Sequence, residues 1–399
     1  MKLTPWLVVI LGALASLGPF GSDSYLVALP VMAGDLVVSG TTIQLTLMAY
    51  TVGMALGQLG IGAISDRIGR RRILMAGAAL MVVAATTAAL TSSASALILS
   101  CLVMGTASAS GLVSGRAVVS DLTTGPTATR AFSFLGLVTG LGPMVGPLVG
   151  ALLMGITGWR GIFGFIALYA AIMFVLVVMF VGESLPAERR LREGFLATMA
   201  NYPDLFRDPM FRWHALTFWA VFGVVFGYLS SLSFILQGVL GLPSGYFTLT
   251  FAITTTGGFL TGILTTYLAK WVPARALASI GLTALLMGAA GVLALVLAGA
   301  TDFWLYLPAF ILMAGMLGFI FGPINALSLT NQRHRGGTAF SLLGFFQWVS
   351  AFIASGIITA FGVETAVPFG FVELGCAVLA VLFFVLGAPA AREHRAGSV

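Results

Sequence analysis

Long apolar runs separated by short polar breaks dominate the pattern of hydrophobic and polar positions. Each run has about 20 residues or more, the length of a helix that crosses a bilayer. Twelve runs occur, covering 6-32, 42-63, 73-91, 96-117, 131-153, 161-182, 213-236, 246-269, 276-298, 303-328, 337-360 and 366-387. Because lipid admits only helices and closed barrels, the pattern predicts an all-α polytopic membrane protein with 12 transmembrane helices.

The composition supports a membrane protein. Hydrophobic residues make up 59% of the chain and charged residues 8%, against about a quarter charged in soluble domains. The net charge of +6 comes with no basic patch interleaved with aromatic residues, so contact with membrane lipid is expected and nucleic-acid binding is not. Cys101 and Cys376 both lie inside apolar runs, which predicts neither a disulfide framework nor a metal site.

The distribution of Lys and Arg predicts the orientation. With the N-terminus inside, the cytoplasmic segments hold every basic residue except Arg160, as short cytoplasmic loops require. Both termini are therefore predicted to be cytoplasmic. A signal peptide over residues 1-22 is the alternative for the first run, but the eleven further runs favour an uncleaved helix.

The longest polar break divides the chain into two blocks of six runs. The predicted organisation is a six-helix bundle at 1-182, a cytoplasmic linker at 183-212, a second six-helix bundle at 213-388 and a cytoplasmic tail at 389-399. Two such blocks are typical of transporters built from repeats, whose binding site is expected between the halves near mid-membrane.

The stretch GIGAISDRIGRRRIL places glycine, acidic and basic residues in the short loop after the second run. Glycine permits close helix approach, an acid can face a helix N-terminus, and arginines can pair with acids or helix C-termini of the opposite half. A cytoplasmic conformational latch is predicted, formed by Gly62, Asp66, Arg67, Gly69, Arg70 and Arg71. The alternative is a simple turn with cytoplasmic charges, which is favoured for Arg72.

A second motif, LGLVTGLGPMVGPLVG, lies on the fifth run. Glycines and prolines recur there at helical spacing, which would bend the helix and permit close packing. The residues are Gly142, Pro143, Gly146, Pro147 and Gly150.

These motifs carry a family resemblance. The loop resembles the GxxxDRxGRR signature of the major facilitator superfamily, and the Gly-Pro run resembles the antiporter motif of its drug exporters. DSYLVALP, followed by IQLTLMAYTVGMALGQ, is similar to the paired signatures of the Bcr/CflA drug:proton antiporters, which give bicyclomycin and chloramphenicol or florfenicol resistance; Val27 replaces the usual first proline.

The resemblance implies a monomer of the superfamily fold that needs no cofactor. It would export small amphiphilic drugs, such as phenicols, in exchange for protons across the bacterial cytoplasmic (inner) membrane by alternating access. One departure matters, because CLVMG at 101–105 stands where such exporters carry Arg-x-x-Gln-Gly. With Cys101 in place of that arginine, an arginine-assisted proton relay cannot be carried over. Arg116, four turns further on, fits a snorkelling or loop-pairing role better.

Two acids lie well within the apolar runs, where charges are rare and tend to mark ion or proton pathways. Asp23 stands beside Ser22, Ser24 and Tyr25, and we expect it to couple proton binding to transport. A structural acid that is hydrogen-bonded to its neighbours is the alternative. Glu373 could tune a cavity, bind a cationic drug or join the proton coupling, and it could equally lie close enough to the outer interface to be solvated.

Candidate substrate contacts are polar and aromatic residues of the cavity-forming runs, since a mostly apolar pocket with a few polar groups suits amphiphilic molecules. They are Tyr25, Gln44, Tyr50, Asn325, Gln347 and Trp348. The seventh run could add an aromatic wall or face lipid through Phe218, Trp219, Phe222, Phe226 and Tyr228.

No catalytic constellation or phosphate-binding loop is present in the sequence, so an enzyme is not predicted. A proton-coupled importer of a small nutrient and a membrane-embedded enzyme or sensor remain as alternatives.

Overall fold

The computed structural model describes residues 3–123, 125–186, 188, 202–331, 336–362 and 365–388. Residues 189–201 of the predicted linker, the predicted tail 389-399 and the first two residues lie outside these ranges. Contacts between Cα atoms divide the chain into two compact units, Met1–Ala197 and Thr198–Val399. The division falls within the predicted 183-212 linker.

Helices form nearly all of the described structure, and the all-α prediction is confirmed. The first unit contains α1 (Pro5–Asp23), α2 (Leu29–Asp35), α3 (Gly40–Ile68), α4 (Arg70–Leu90), α5 (Ala94–Leu122) and α6 (Gly125–Phe180). The second unit contains α7 (Tyr202–Arg207), α8 (Pro209–Ser233), α9 (Ser244–Leu268), α10 (Ala274–Leu297), α11 (Phe303–Ala314), α12 (Gly318–Leu329), α13 (Gly336–Phe361) and α14 (Val367–Leu386).

Eleven helical stretches among the described residues are long and apolar enough to cross a membrane. One of them belongs to α6, whose 56 residues would extend about 84 Å at the usual rise of about 1.5 Å per residue. A bilayer core is only about 30 Å thick. Gly158, with φ of 69°, interrupts α6, so the predicted runs 131-153 and 161-182 are separate crossings. Counting α6 as two crossings raises the eleven stretches to twelve, the number of predicted runs.

The outer surfaces of the helices carry large apolar side chains, as lipid contact requires. Val83 is 63% exposed, Leu152 64% and Leu305 53%. Inside the first unit, α3 and α5 pack closely, with Gly53 against the carbonyl of Leu102 and Gly105 against that of Tyr50. In lipid the hydrophobic effect does not drive helices together, so they associate through small residues that permit close packing.

Turns interrupt two of the predicted runs. The first run breaks after Asp23, passes through a 3₁₀ turn at Leu26–Ala28 and resumes as α2. Pro30, in the first turn of α2, lacks the N–H that a continuous helix would need.

The run 303-328 breaks between α11 and α12. There the hydroxyls of Thr261 and Thr265 on α9 donate to the carbonyls of Gly315 and Gly318, each at 3.1 Å. Thr261 thus supplies a donor to a carbonyl within the break, as non-helical backbone in a membrane requires, and Thr265 joins α9 to the first residue of α12.

Candidate functional site

Asp23 is the last residue of α1 and is only 3% exposed. Its Oδ1 accepts a hydrogen bond of 2.6 Å from the hydroxyl of Ser22. Within the part of the chain that the structure describes, no lysine or arginine forms an ion pair with it. The first unit therefore buries a carboxyl group without a basic partner, at the point where the helix breaks.

The glycines of the Gly-Pro motif pack directly against this end of α1. Gly142 lies against Pro19, and Gly150 lies against the carbonyl of Ser24. A Cβ on Gly146 would lie 3.4 Å from the Cβ of Asp23. The two motifs that the sequence singled out therefore form one helix contact.

The prolines of that motif lie within a continuous helix. The backbone is helical at both Pro143 and Pro147, and Pro147 is buried. The side chain of Pro143 lies outside the described part of the structure. Gly158, the non-helical residue that interrupts α6, lies beyond the motif, so the motif does not end the helix.

Tyr50 ties α3 to two neighbouring helices. Its hydroxyl donates to the carbonyl of Gly18 on α1 at 2.7 Å and lies 2.8 Å from the hydroxyl of Ser108 on α5. The side chain is fully buried. Tyr50 thus holds the helix that ends at Asp23 against α3 and α5. The sequence did not indicate this role, because Ser108 belongs to no motif.

Cys101 and Tyr25 fill the place where the resemblance predicts an arginine. Both side chains are fully buried, and the Tyr25 hydroxyl lies beside the Cys101 thiol and the Thr46 hydroxyl. The Tyr25 ring lies 5.2 Å from that of Phe163. These neutral side chains thus stand where the resemblance predicts a positive charge. Gln44, a candidate substrate contact two positions before Thr46, is also fully buried.

Glu373 on α14 is buried rather than solvated. Its side chain has no exposed surface, and neither carboxyl oxygen has a hydrogen-bond partner among the described groups. The Oε1 atom lies against Gly227 of α8. The second unit therefore also encloses a carboxyl group.

An aromatic cluster occupies the second unit between α8, α12 and α13. The Trp348 ring lies 5.0 Å from Phe226 and 5.8 Å from Phe222, and Phe218 lies 5.8 Å from Phe321. Four of the five aromatic residues proposed on the seventh run are buried and Phe222 is half-buried, so they face the interior of the unit rather than lipid.

The other candidate contacts of the second unit are Asn325 and Gln347. The side-chain amide of Asn325 donates to the carbonyl of Phe321 at 2.9 Å, and Gln347 is half-buried. Tyr228 points elsewhere, with its hydroxyl 3.0 Å from that of Thr254. Asn325 thus lies one turn from Phe321 of the cluster, whereas Tyr228 contacts α9.

Arg70 is the centre of the predicted latch. Its guanidinium pairs with Asp66 at 2.5 Å and with Asp121 at 3.2 Å, and it donates to the hydroxyl of Ser65 at 2.5 Å. Its backbone N–H donates to Glu183 at 2.9 Å. Asp121 lies at the end of α5 and Glu183 follows α6, so two acids outside the predicted latch also contact Arg70.

The remaining latch residues have different surroundings. Arg71 donates to the carbonyl of Val178 at 2.8 Å, and Arg67 is exposed. Gly69 has φ of 105°, a backbone conformation that favours glycine, whereas a Cβ on Gly62 would meet Val113 at an ordinary 3.7 Å. These partners lie within the first unit, so pairing with the opposite half stays a prediction.

Comparisons with known proteins agree with this architecture. Residues 11–355 match the family model described as the Major Facilitator Superfamily. The chain is 30% identical to a protein named "Uncharacterized MFS-type transporter YdgK" from Bacillus subtilis, over 95% of this chain and 94% of that protein. It is 27% identical to a "Bicyclomycin resistance protein homolog" from Haemophilus influenzae, over 96% of each chain.

A solved structure with a similar fold is a bacterial homolog of the human lysosomal transporter Spinster, crystallised in an inward-facing and unoccupied conformation. The TM-score is 0.70, with coverage of 98% of both chains. At 16% sequence identity, this similarity concerns the fold alone.

Proposed function

The chain belongs to the Major Facilitator Superfamily, and from that premise we propose that it exports small amphiphilic drugs in exchange for protons by alternating access. The substrates are of the phenicol or bicyclomycin type, and the protein works as a monomer in the bacterial cytoplasmic membrane with both termini inside. Support for the substrate class comes from the signatures in the first two runs and from the relative named for bicyclomycin resistance.

One observation carries the proposed proton coupling: Asp23 is buried without a basic partner where the Gly-Pro motif packs on α1. Burying an ionised carboxyl is costly in a membrane protein. A proton that neutralises Asp23 therefore favours the state in which the residue is enclosed, and access of water or drug favours its release. Protonation of Asp23 and binding of the drug therefore exclude each other, which couples the two fluxes.

The proposed cycle follows from this alternation. In the outward-open state, a proton from outside binds the Asp23 carboxylate and the drug leaves. Opening to the inside releases the proton to the cytoplasm and admits another drug molecule. A proton-motive force of about 150 mV provides about 3.5 kcal/mol per proton, enough for about a 300-fold gradient of a neutral substrate.

Transport in everted membrane vesicles tests the proposal. Adding chloramphenicol or bicyclomycin to energised vesicles should release protons from the lumen while the drug accumulates inside. Asp23→Asn should abolish both signals at equal amounts of inserted protein. The matched control is Asp302→Asn, because Asp302 caps the exposed start of α11 and asparagine caps helices equally well.

Two outcomes would contradict the proposal in different ways. If the wild-type protein accumulates neither drug in the lumen, export of this substrate class is wrong. If Asp23→Asn still accumulates drug against a gradient at the wild-type rate, the assignment of coupling to Asp23 is wrong.

A further inference from the structure

Glu373 fills the space that Gly227 leaves on α8. A Cβ on Gly227 would collide with Oε1 of Glu373 and would lie 3.2 Å from Cδ1 of Ile358 on α13. The carboxyl group is thus enclosed where α8, α13 and α14 meet. A larger residue than glycine at 227 would leave no room for it.

Among the residues that the structure describes, no base adjoins this carboxyl group. Tyr228 on α8 and Cys376 on α14 itself are titratable groups close enough to interact with it electrostatically. On the α13 side, Ser355 donates to the carbonyl of Phe226 at 3.4 Å rather than to Glu373. On the α10 side, Leu293 packs against Gly370, one turn away. Among the described residues, then, none neutralises Glu373 by an ion pair.

The position of Gly227 matches that of Asp23 in the first unit. Counted from the proline that begins each helix, Pro5 in α1 and Pro209 in α8, Asp23 and Gly227 occupy the same place. Each unit therefore has a buried carboxyl group at this level of its first membrane helix. In the first unit the helix itself supplies the acid, and in the second unit α14 supplies it.

We propose that Glu373 is the proton-binding carboxyl group of the second unit, so that each transport cycle moves two protons rather than one. The occupant is a proton because a bound metal cation would need several further oxygen ligands. The described structure offers Glu373 no hydrogen-bond or ion-pair partner. A single proton neutralises the group without any additional ligand.

The inference rests on the proposed exchange of drug for protons and deepens it. At about 150 mV, one proton per neutral substrate sustains a gradient of about 300-fold, and two sustain about 10⁵-fold. The second carboxyl group would thus decide how steep a drug gradient the protein can hold, although the first unit alone suffices for exchange.

The number of protons is measured from the membrane potential at which net chloramphenicol flux stops in proteoliposomes with a fixed drug gradient. For wild-type protein, this potential should be half the value expected for one proton. Glu373→Gln should double it to the one-proton value while drug exchange continues. An unchanged reversal potential in a transporting Glu373→Gln variant would overturn the proposal.

Moving the acid provides a second test that does not depend on the glutamine variant folding. In a Glu373→Ala background, Gly227→Asp places a carboxyl group in the vacated space and should restore the two-proton potential. Gly227→Asp alone should fold poorly, because two acids would compete for one enclosed space. A double variant that folds and transports with the one-proton potential would contradict the proton-binding role.

Infrared difference spectra separate this proposal from the proposed function. The spectrum of purified wild-type protein minus that of Glu373→Gln, both without drug, should contain the C=O band of a protonated carboxyl group. Presence of the band without drug transport would refute drug export and retain proton binding at Glu373. Absence of the band in folded protein would refute the Glu373 proposal whatever the transport result.

Discussion

Gly150 lies directly against the backbone carbonyl of Ser24, with no space for even one methyl group between α6 and the chain that follows Asp23. The nearest neighbour of a Cβ at this position would be backbone rather than a flexible side chain. The contact therefore fixes how closely α6 can approach the buried acid.

Gly150→Ala should push α6 away from α1 and impair transport. Overpacking of a filled interior costs about 1–3 kcal/mol, which should lower the thermal unfolding temperature of the purified protein. Gly155→Ala is the matched control, because a Cβ at Gly155 in the same helix has no neighbour within 4 Å. Equal unfolding temperatures and transport rates for both variants would show that the contact does not limit packing.

Arg70→Lys should weaken the latch although the charge is retained. The Arg70 guanidinium contacts Ser65, Asp66 and Asp121 at once, and a lysine ammonium cannot reproduce that planar fork. We expect slower drug exchange in vesicles, whereas Arg72→Lys, at an exposed position two residues on, should exchange at the wild-type rate. Wild-type exchange in both variants would mean that a single positive charge at position 70 suffices.

Tyr50→Phe should destabilise the first unit. The substitution removes the donor to the Gly18 carbonyl and the partner of Ser108. The Gly18 carbonyl keeps the longer bond from Ser22 at 3.3 Å, and Ser108 keeps the one to the Leu17 carbonyl at 3.5 Å. Loss of the Tyr50 bond should therefore cost about 1 kcal/mol. Thermal unfolding should therefore occur at a lower temperature than in Tyr267→Phe, which alters a tyrosine that is 58% exposed. Identical unfolding curves would argue that the hydroxyl contributes nothing to bracing α1.

Thr265→Val should destabilise the break between α11 and α12. Valine keeps the shape of threonine but cannot donate to the Gly318 carbonyl, which now accepts at 3.1 Å. Loss of one such bond costs about 1 kcal/mol, visible as faster proteolysis or a lower unfolding temperature. Thr266→Val is the control, because Thr266 is exposed and bonds only within its own helix, to Gly262. The two variants should differ; equal stability would show that the break needs no donor from α9.

The fold was largely predictable because the lipid bilayer restricts a spanning chain to long apolar helices. Run length and positive charges in short loops are properties that the sequence displays directly, and both depend on the bilayer rather than on particular contacts. The break after Asp23 was less visible, since the residues that follow it are as apolar as a helix interior. Pro30 was the available signal.

The candidate site was only partly predictable. Asp23 stood out because a charge in an apolar run is rare, but the sequence could not reveal that Gly146 and Gly150 lie against it. Nor could it decide the environment of Glu373, because apolar residues surround it on every side and no periodicity marks the face towards α8. Contacts such as Tyr50 with Ser108 join residues that no local pattern connects.

The close packing of Glu373 on Gly227 also bears on how the two halves of the chain correspond. An alignment of the halves would pair Asp23 with a glycine and record the loss of an acid. In three dimensions the acid of the second unit instead stands on another helix, α14, and Gly227 leaves the space that it occupies. Any residue larger than glycine at 227 should consequently require a smaller residue at 373, whereas a smaller residue at 373 makes no demand on position 227.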